Sequence, residues 1–222
     1  MSLDFEPILR QWPYLLAGAA LSLRIAVTAF AFGLIIGLAC TCALRYGPPW
    51  LRRAATGYVI FATNTPQLVQ IFFLFFALPE VGITLSPFWA VLIGATFNAG
   101  AYLCEIVRAG FYSVRVVEIE AAEVLGFSTT QIVRFVIVPH VLKVMFPALS
   151  NQFIVMTLGT SMAAVFGVEE LTGRTYDLSS QTYLSVEAFS VAAVLYIAIT
   201  LIATLALALT GRYLCRAKIK VF

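Results

Sequence analysis

Long uncharged runs alternate along this chain with short clusters of charge. Five runs, at 25–44, 54–79, 81–104, 144–168 and 188–211, contain no Asp, Glu, Lys or Arg. Each reaches the roughly 20 residues that a helix needs to cross about 30 Å of hydrocarbon. Lipid tolerates only helices or closed barrels, and none of the runs shows the two-residue alternation of a barrel strand. The pattern therefore predicts five transmembrane helices.

The punctuation between the runs sets their ends. The first helix is drawn from Pro13 to Leu44, after a short external lead-in over residues 1–12. It carries Gly33 and Gly37, a spacing that permits close helix contact within the chain or with a second copy. Tyr46-Gly47-Pro48-Pro49 reads as a turn, and Ser86-Pro87 as a helix start. Residues 169–183 read as a polar external loop, and helix four is drawn from Lys143 to Val168.

The segment between the third and fourth runs is too polar to span and too patterned to be disordered. Val117 to Leu125 suits a short helix, and Gly126 suits its left-handed stop. Ser128 and Gln131 have the spacing of a capping box that opens a second helix, which Pro139 would end or kink. Residues 113–140 thus form a surface hairpin inside one domain that covers 1–222. Ala121 and Ala122 keep it slim enough to enter a groove, and Glu120 offers an acceptor; the same residues also fit a plain connector between two spans.

Composition strengthens the membrane reading. Only 11% of residues are charged, against about 25% in soluble domains. Charge then orients the bundle. Arg45, Arg52, Arg53, Arg108, Arg115, Arg134, Lys143, Arg212, Arg216, Lys218 and Lys220 gather on one side, against Arg10 and Arg174 on the other. The positive-inside bias puts the N-terminus outside and the C-terminus in the cytoplasm. The net charge of +3 follows from that bias and needs no nucleic-acid partner. Arg24, inside the first helix, reads as a snorkelling or interface-paired cation.

Enzyme chemistry finds no footing. Asp4 and Asp177 lie outside the spans, and neither a Gly-x-Ser-x-Gly nucleophile nor a phosphate-binding Gly-x4-Gly-Lys-Ser/Thr loop occurs. Cys40 and Cys42, two apart on a helix, do not face one metal; Cys104 and Cys215 are isolated, and His140, next to Pro139, reads as solvated. No metal or cofactor is expected on this chain. The polar residues within the runs are better candidates. Asn64, Gln67 and Gln70 share a face at three-residue spacing, and Asn98, Tyr102 and Glu105 share another. Gln152, Thr160 and Ser161 lie along the fourth run. Such groups either join helices or line a water-filled path. An ion-coupled carrier is the rival transport class, although five helices do not divide into the two halves typical of inverted repeats.

Glu120-Ala121-Ala122, then Gly126, Val136, Val138 and Pro139, resembles the EAA loop of bacterial ABC importer permeases, with valines in place of the usual Ile and Leu. Five further segments resemble the polar amino acid uptake subfamily: 65–70, 98–108, 151–154, Thr160-Ser161 and 167–171. The likeness covers about residues 14–212. It implies a type I importer permease in the inner membrane that pairs with a second permease over an ATPase dimer and receives an amino acid from a periplasmic binding protein. ATP and Mg would sit on those ATPases. Glu120, Ala121, Ala122, Gly126 and Pro139 would form the coupling elbow, with Asn64, Gln67, Asn98, Tyr102, Gln152, Thr160 and Ser161 on the substrate path. Two departures remove charge: Thr63 stands where many relatives have Arg, and Leu158-Gly159 where many have Lys-Asp or Lys-Asn. They imply a heterodimer or a different selectivity.

Overall fold

Proline opens three of the long helices of this protein. Its missing N–H is harmless in a first helical turn, and its fixed φ already suits the helix. Pro13, Pro49 and Pro87 all occupy such positions. The computed structural model describes residues 3–215. Arg216, Lys218 and Lys220 of the basic tail lie outside the described residues.

In chain order the helices are α1 (Glu6–Arg10), α2 (Trp12–Tyr46), α3 (Pro49–Thr63), α4 (Gln67–Phe72) and α5 (Pro87–Tyr112), followed by α6 (Val116–Val124), α7 (Thr129–Ile132), α8 (Val138–Gly159), α9 (Leu171–Thr182) and α10 (Ser185–Cys215). A π turn (Phe73–Ala77) and a 3₁₀ turn (Leu78–Val81) prolong α4; another π turn (Val133–Ile137) joins α7 to α8, and a 3₁₀ segment (Thr160–Phe166) extends α8.

Four helical stretches are each long and apolar enough to cross a membrane: α2, α5, Thr129–Phe166 and α10. The fifth span is not the straight helix drawn over 54–79. α3 and the Gln67–Val81 stretch meet at a 106° bend. Pro66 causes it, because the proline lacks the N–H that would continue the ladder and disfavours helical geometry in Thr65 before it.

Lipid is as apolar as a leucine side chain, so close packing rather than hydrophobic collapse holds the helices together. The central contact is α2 on α5. A Cβ on Gly33 would lie 2.8 Å from Ala99 Cβ, and one on Gly37 2.8 Å from the backbone nitrogen of Cys104. The glycine pair thus serves contact within the chain. The outer face of α10 exposes Val194, Ile197, Leu201, Ile202, Leu205 and Leu209, a surface suited to lipid rather than water.

Residues 169–183 differ from the expected loop. Most of them form α9, which buries Leu171, Thr175 and Leu178 on one stripe. Its N-cap, Glu170, is fully buried. Ser22 on α2 and Tyr196 on α10 each donate to Glu170 Oε2 at 2.8 Å, and the Gly173 N–H donates to Oε1 at 3.0 Å. One carboxylate therefore ties three helices. Arg174 adds to the same end, donating to Tyr14 O at 2.8 Å and lying over the Tyr14 ring.

Candidate functional site: a broken helix and a capped hairpin

The bend at Pro66 leaves carbonyls without their helical donors, and side chains from two other segments supply replacements. Ala62 O accepts from Asn98 Nδ2 on α5 at 3.2 Å and from Gln70 Nε2 on α4 at 3.0 Å. Gln70 Nε2 also reaches Thr65 O at 3.0 Å, and the Tyr102 hydroxyl donates to Thr63 O at 3.3 Å. Irregular backbone at membrane depth is tolerated where it is satisfied in this way or lines a cavity. Here it does both.

Beside the break lies an open cavity of ≈ 470 Å³, within the usual range for small-molecule sites. Asn64, Gln67, Asn98, Tyr102 and Gln152 all line it, so five of the seven expected path residues meet there. Thr63, Thr65, Pro66, Val155 and Met156 complete the wall. Val155 and Met156 gave no polar signal, yet they stand three and four residues after Gln152 and so share its helical face. Thr160 and Ser161 do not line this cavity. Thr160 is buried, donates to Thr157 O at 2.7 Å, and borders a much smaller void that shares Gln67 and Met156. Gln70, read as a neighbour of Asn64 and Gln67, turns inward instead and is buried.

The hairpin follows local sequence rules closely. α6 stops at Gly126, whose φ of +79° is left-handed. Ser128 then caps α7: its hydroxyl accepts from the Gln131 N–H at 3.4 Å, while the Ser128 N–H donates to Gln131 Oε1 at 2.8 Å. Pro139 neither ends nor isolates the second helix. The π turn at Val133–Ile137 shifts the hydrogen-bond register just before the proline, and the helix runs from Thr129 to Phe166 without a break. His140 is also less solvated than expected, lying 3.5 Å from Glu118, which Arg115 meets at 3.2 Å. Glu120 and Ala121 face outward, whereas Ala122 packs into the hairpin. Around them Val116, Val117, Val124 and Leu125 expose their apolar side chains.

A bent span over a cavity, with a capped hairpin beneath, accords with the match of residues 31–214 to the family described as binding-protein-dependent transport system inner membrane component. The chain belongs to this family. Among relatives of this permease, the glutamine transport system permease protein GlnP of Escherichia coli (strain K12) is 35% identical over 91% of this chain and 93% of its own. The arginine transport system permease protein ArtQ of Bacillus subtilis (strain 168) is 30% identical over 92% and 94%. A crystal structure of an amino acid ABC transporter with histidines superposes with a TM-score of 0.88 at 30% identity, covering 96% of this chain and 100% of that one. The MetNI methionine ABC transporter shares the fold, with a TM-score of 0.72 and 21% identity over 96% and 99%. The permease is thus a multi-pass inner-membrane subunit of the ABC importer type.

Proposed function

We propose that this permease carries polar amino acids inward and couples the passage to ATP hydrolysis on separate subunits. The whole chain, 1–222, acts as one membrane domain, with 113–140 as its coupling segment. A second permease, identical or related, completes the path, and a periplasmic binding protein loads it. An ATPase dimer holding ATP and Mg docks beneath. The N-terminus faces the periplasm and the C-terminus the cytoplasm, as the positive-inside rule requires.

The observation that carries this reading is the hairpin surface. Glu120 and Ala121 stand exposed amid four exposed apolar residues, on a segment too charged for lipid. Exposed apolar side chains beside the exposed carboxylates of Glu120 and Glu123 suit a protein partner. The names of the relatives support amino acids as cargo, and the amide-lined cavity supports a polar one.

Uptake into vesicles that hold the assembled transporter tests the proposal. Radiolabelled amino acid should enter with ATP and stop when ATP is withdrawn under a sustained proton gradient. A tagged chain should also bring an ATPase through purification. Uptake that follows the gradient and ignores ATP would replace this reading with an ion-coupled carrier.

A further inference from the structure

The polar groups around the cavity fall into two sets. Asn98, through its amide nitrogen, and Tyr102, through its hydroxyl, already donate to backbone carbonyls of the broken helix. So does Asn64, whose Nδ2 donates to Ile60 O at 2.8 Å, and Thr63, whose hydroxyl donates to Val59 O at 2.7 Å. Gln67 on α4 and Gln152 on α8 form the other set. Both line the cavity, both are half-buried, and neither side-chain amide makes a hydrogen bond within the described residues.

Each free amide carries two N–H donors and one carbonyl acceptor. Partly buried and unpaired, such groups need water or a ligand to satisfy them. Two amides on separate walls offer a donor and an acceptor together, which a carboxamide complements. The lining contains no Asp, Glu, Lys or Arg, so this wall offers no countercharge to a side-chain charge added to the α-ammonium and α-carboxylate that every amino acid brings. Sites that hydrogen-bond their substrate also reject analogues lacking the polar group far better than apolar pockets reject an added one.

We infer that Gln67 and Gln152 are specificity-determining residues that favour an amino acid with a neutral hydrogen-bonding side chain, the carboxamide class foremost. This rests on the import reading above. Within it, Gln67 and Gln152 read the side chain, while Asn98 and Tyr102 keep the broken helix in shape.

The test uses the assembled transporter in vesicles with its binding protein, and compares glutamine, arginine and glutamate uptake between wild type and variants. Taking each ratio relative to wild type cancels the binding protein's own preference. Gln67→Leu and Gln152→Leu should each lower glutamine uptake on the order of tenfold. Gln152→Glu, nearly isosteric, should raise the arginine-to-glutamine ratio several-fold. Co-purification of the ATPase subunits reports assembly of each variant. Wild-type glutamine uptake in both leucine variants, with an unchanged ratio in Gln152→Glu, overturns the inference and leaves ATP-driven import standing. Absence of ATP-dependent uptake of every amino acid in the wild type overturns both.

Discussion

A proline has no N–H to give the carbonyl four residues earlier, and at Pro66 that carbonyl belongs to Ala62. Asn98 and Gln70 supply the missing donors, so the bend is a satisfied structure rather than a defect. Asn98→Leu keeps much of the volume but strips one of the two donors from a buried acceptor. It should destabilise the protein by about 1 kcal/mol, with a lower Tm in detergent. Gln70→Leu removes the donor to both Ala62 and Thr65. Its cost is tempered because Gln70 Oε1 is itself buried without a partner among the described residues. Identical melting curves for wild type and Asn98→Leu would mean that the carbonyl is satisfied in some other way. The sequence flagged the cavity amides Asn64, Gln67, Asn98 and Gln152, but it misplaced Gln70. Three-residue spacing puts Asn64, Gln67 and Gln70 on one face only if the helix is unbroken. Asn64 instead caps α3, and Gln70 faces the packed side of α4.

Between elements, the closest approach is where a small residue admits the neighbouring backbone. Gly37→Ala would set a methyl 2.8 Å from Cys104 N and 3.0 Å from Leu103 C. Backbone cannot rotate aside as a side chain can, so α2 and α5 must separate, at a cost of about 1–3 kcal/mol. Gly57, on the exposed face of α3, is the matched control. A Cβ there meets nothing within 4 Å, and Ala should gain up to about 1 kcal/mol from helix propensity. Thermal unfolding of the two variants should therefore shift in opposite directions; equal shifts would refute the packing argument. Legibility at this scale follows the range of the interactions involved. The Gly126 stop and the Ser128–Gln131 capping box depend on neighbours in sequence, and both were readable. α9 was not, because two of the groups that fix it, Ser22 and Tyr196, come from distant helices, and its buried stripe includes the polar Thr175. The passage through Pro139 was also hidden, since a π turn leaves no compositional trace.

Across the whole molecule, the hairpin and the cavity share one piece of helix. Thr129–Phe166 runs unbroken for 38 residues, and from Gln131 to Gln152 it rises about 30 Å. α6, which bears Glu120, is fastened to this rod near its base, where Glu118 meets His140 and Ala122 and Ile132 are both buried. In the coupling reading proposed above, a push on the exposed Glu120–Ala121 face would pass through this packed corner into a helix that carries Gln152, Val155 and Met156 along the cavity wall. Pro147 lies within this stretch, but the helix continues through it, so a defect at the base should silence the far end without dismantling the bundle. Glu120 is exposed and makes no salt bridge among the described residues, so reversing its charge should change stability by no more than about 0.5 kcal/mol. At the proposed docking face the same reversal sets a cation against the donors that a carboxylate would meet, and like-charge contacts across an interface cost several kcal/mol. Glu120→Arg should thus keep the wild-type amount of protein in the membrane and its melting temperature, while ATP-driven uptake falls by at least tenfold and less ATPase co-purifies. If uptake and co-purification both stay at wild-type levels, the hairpin does not receive the stroke, and the rod above it must be driven from another surface.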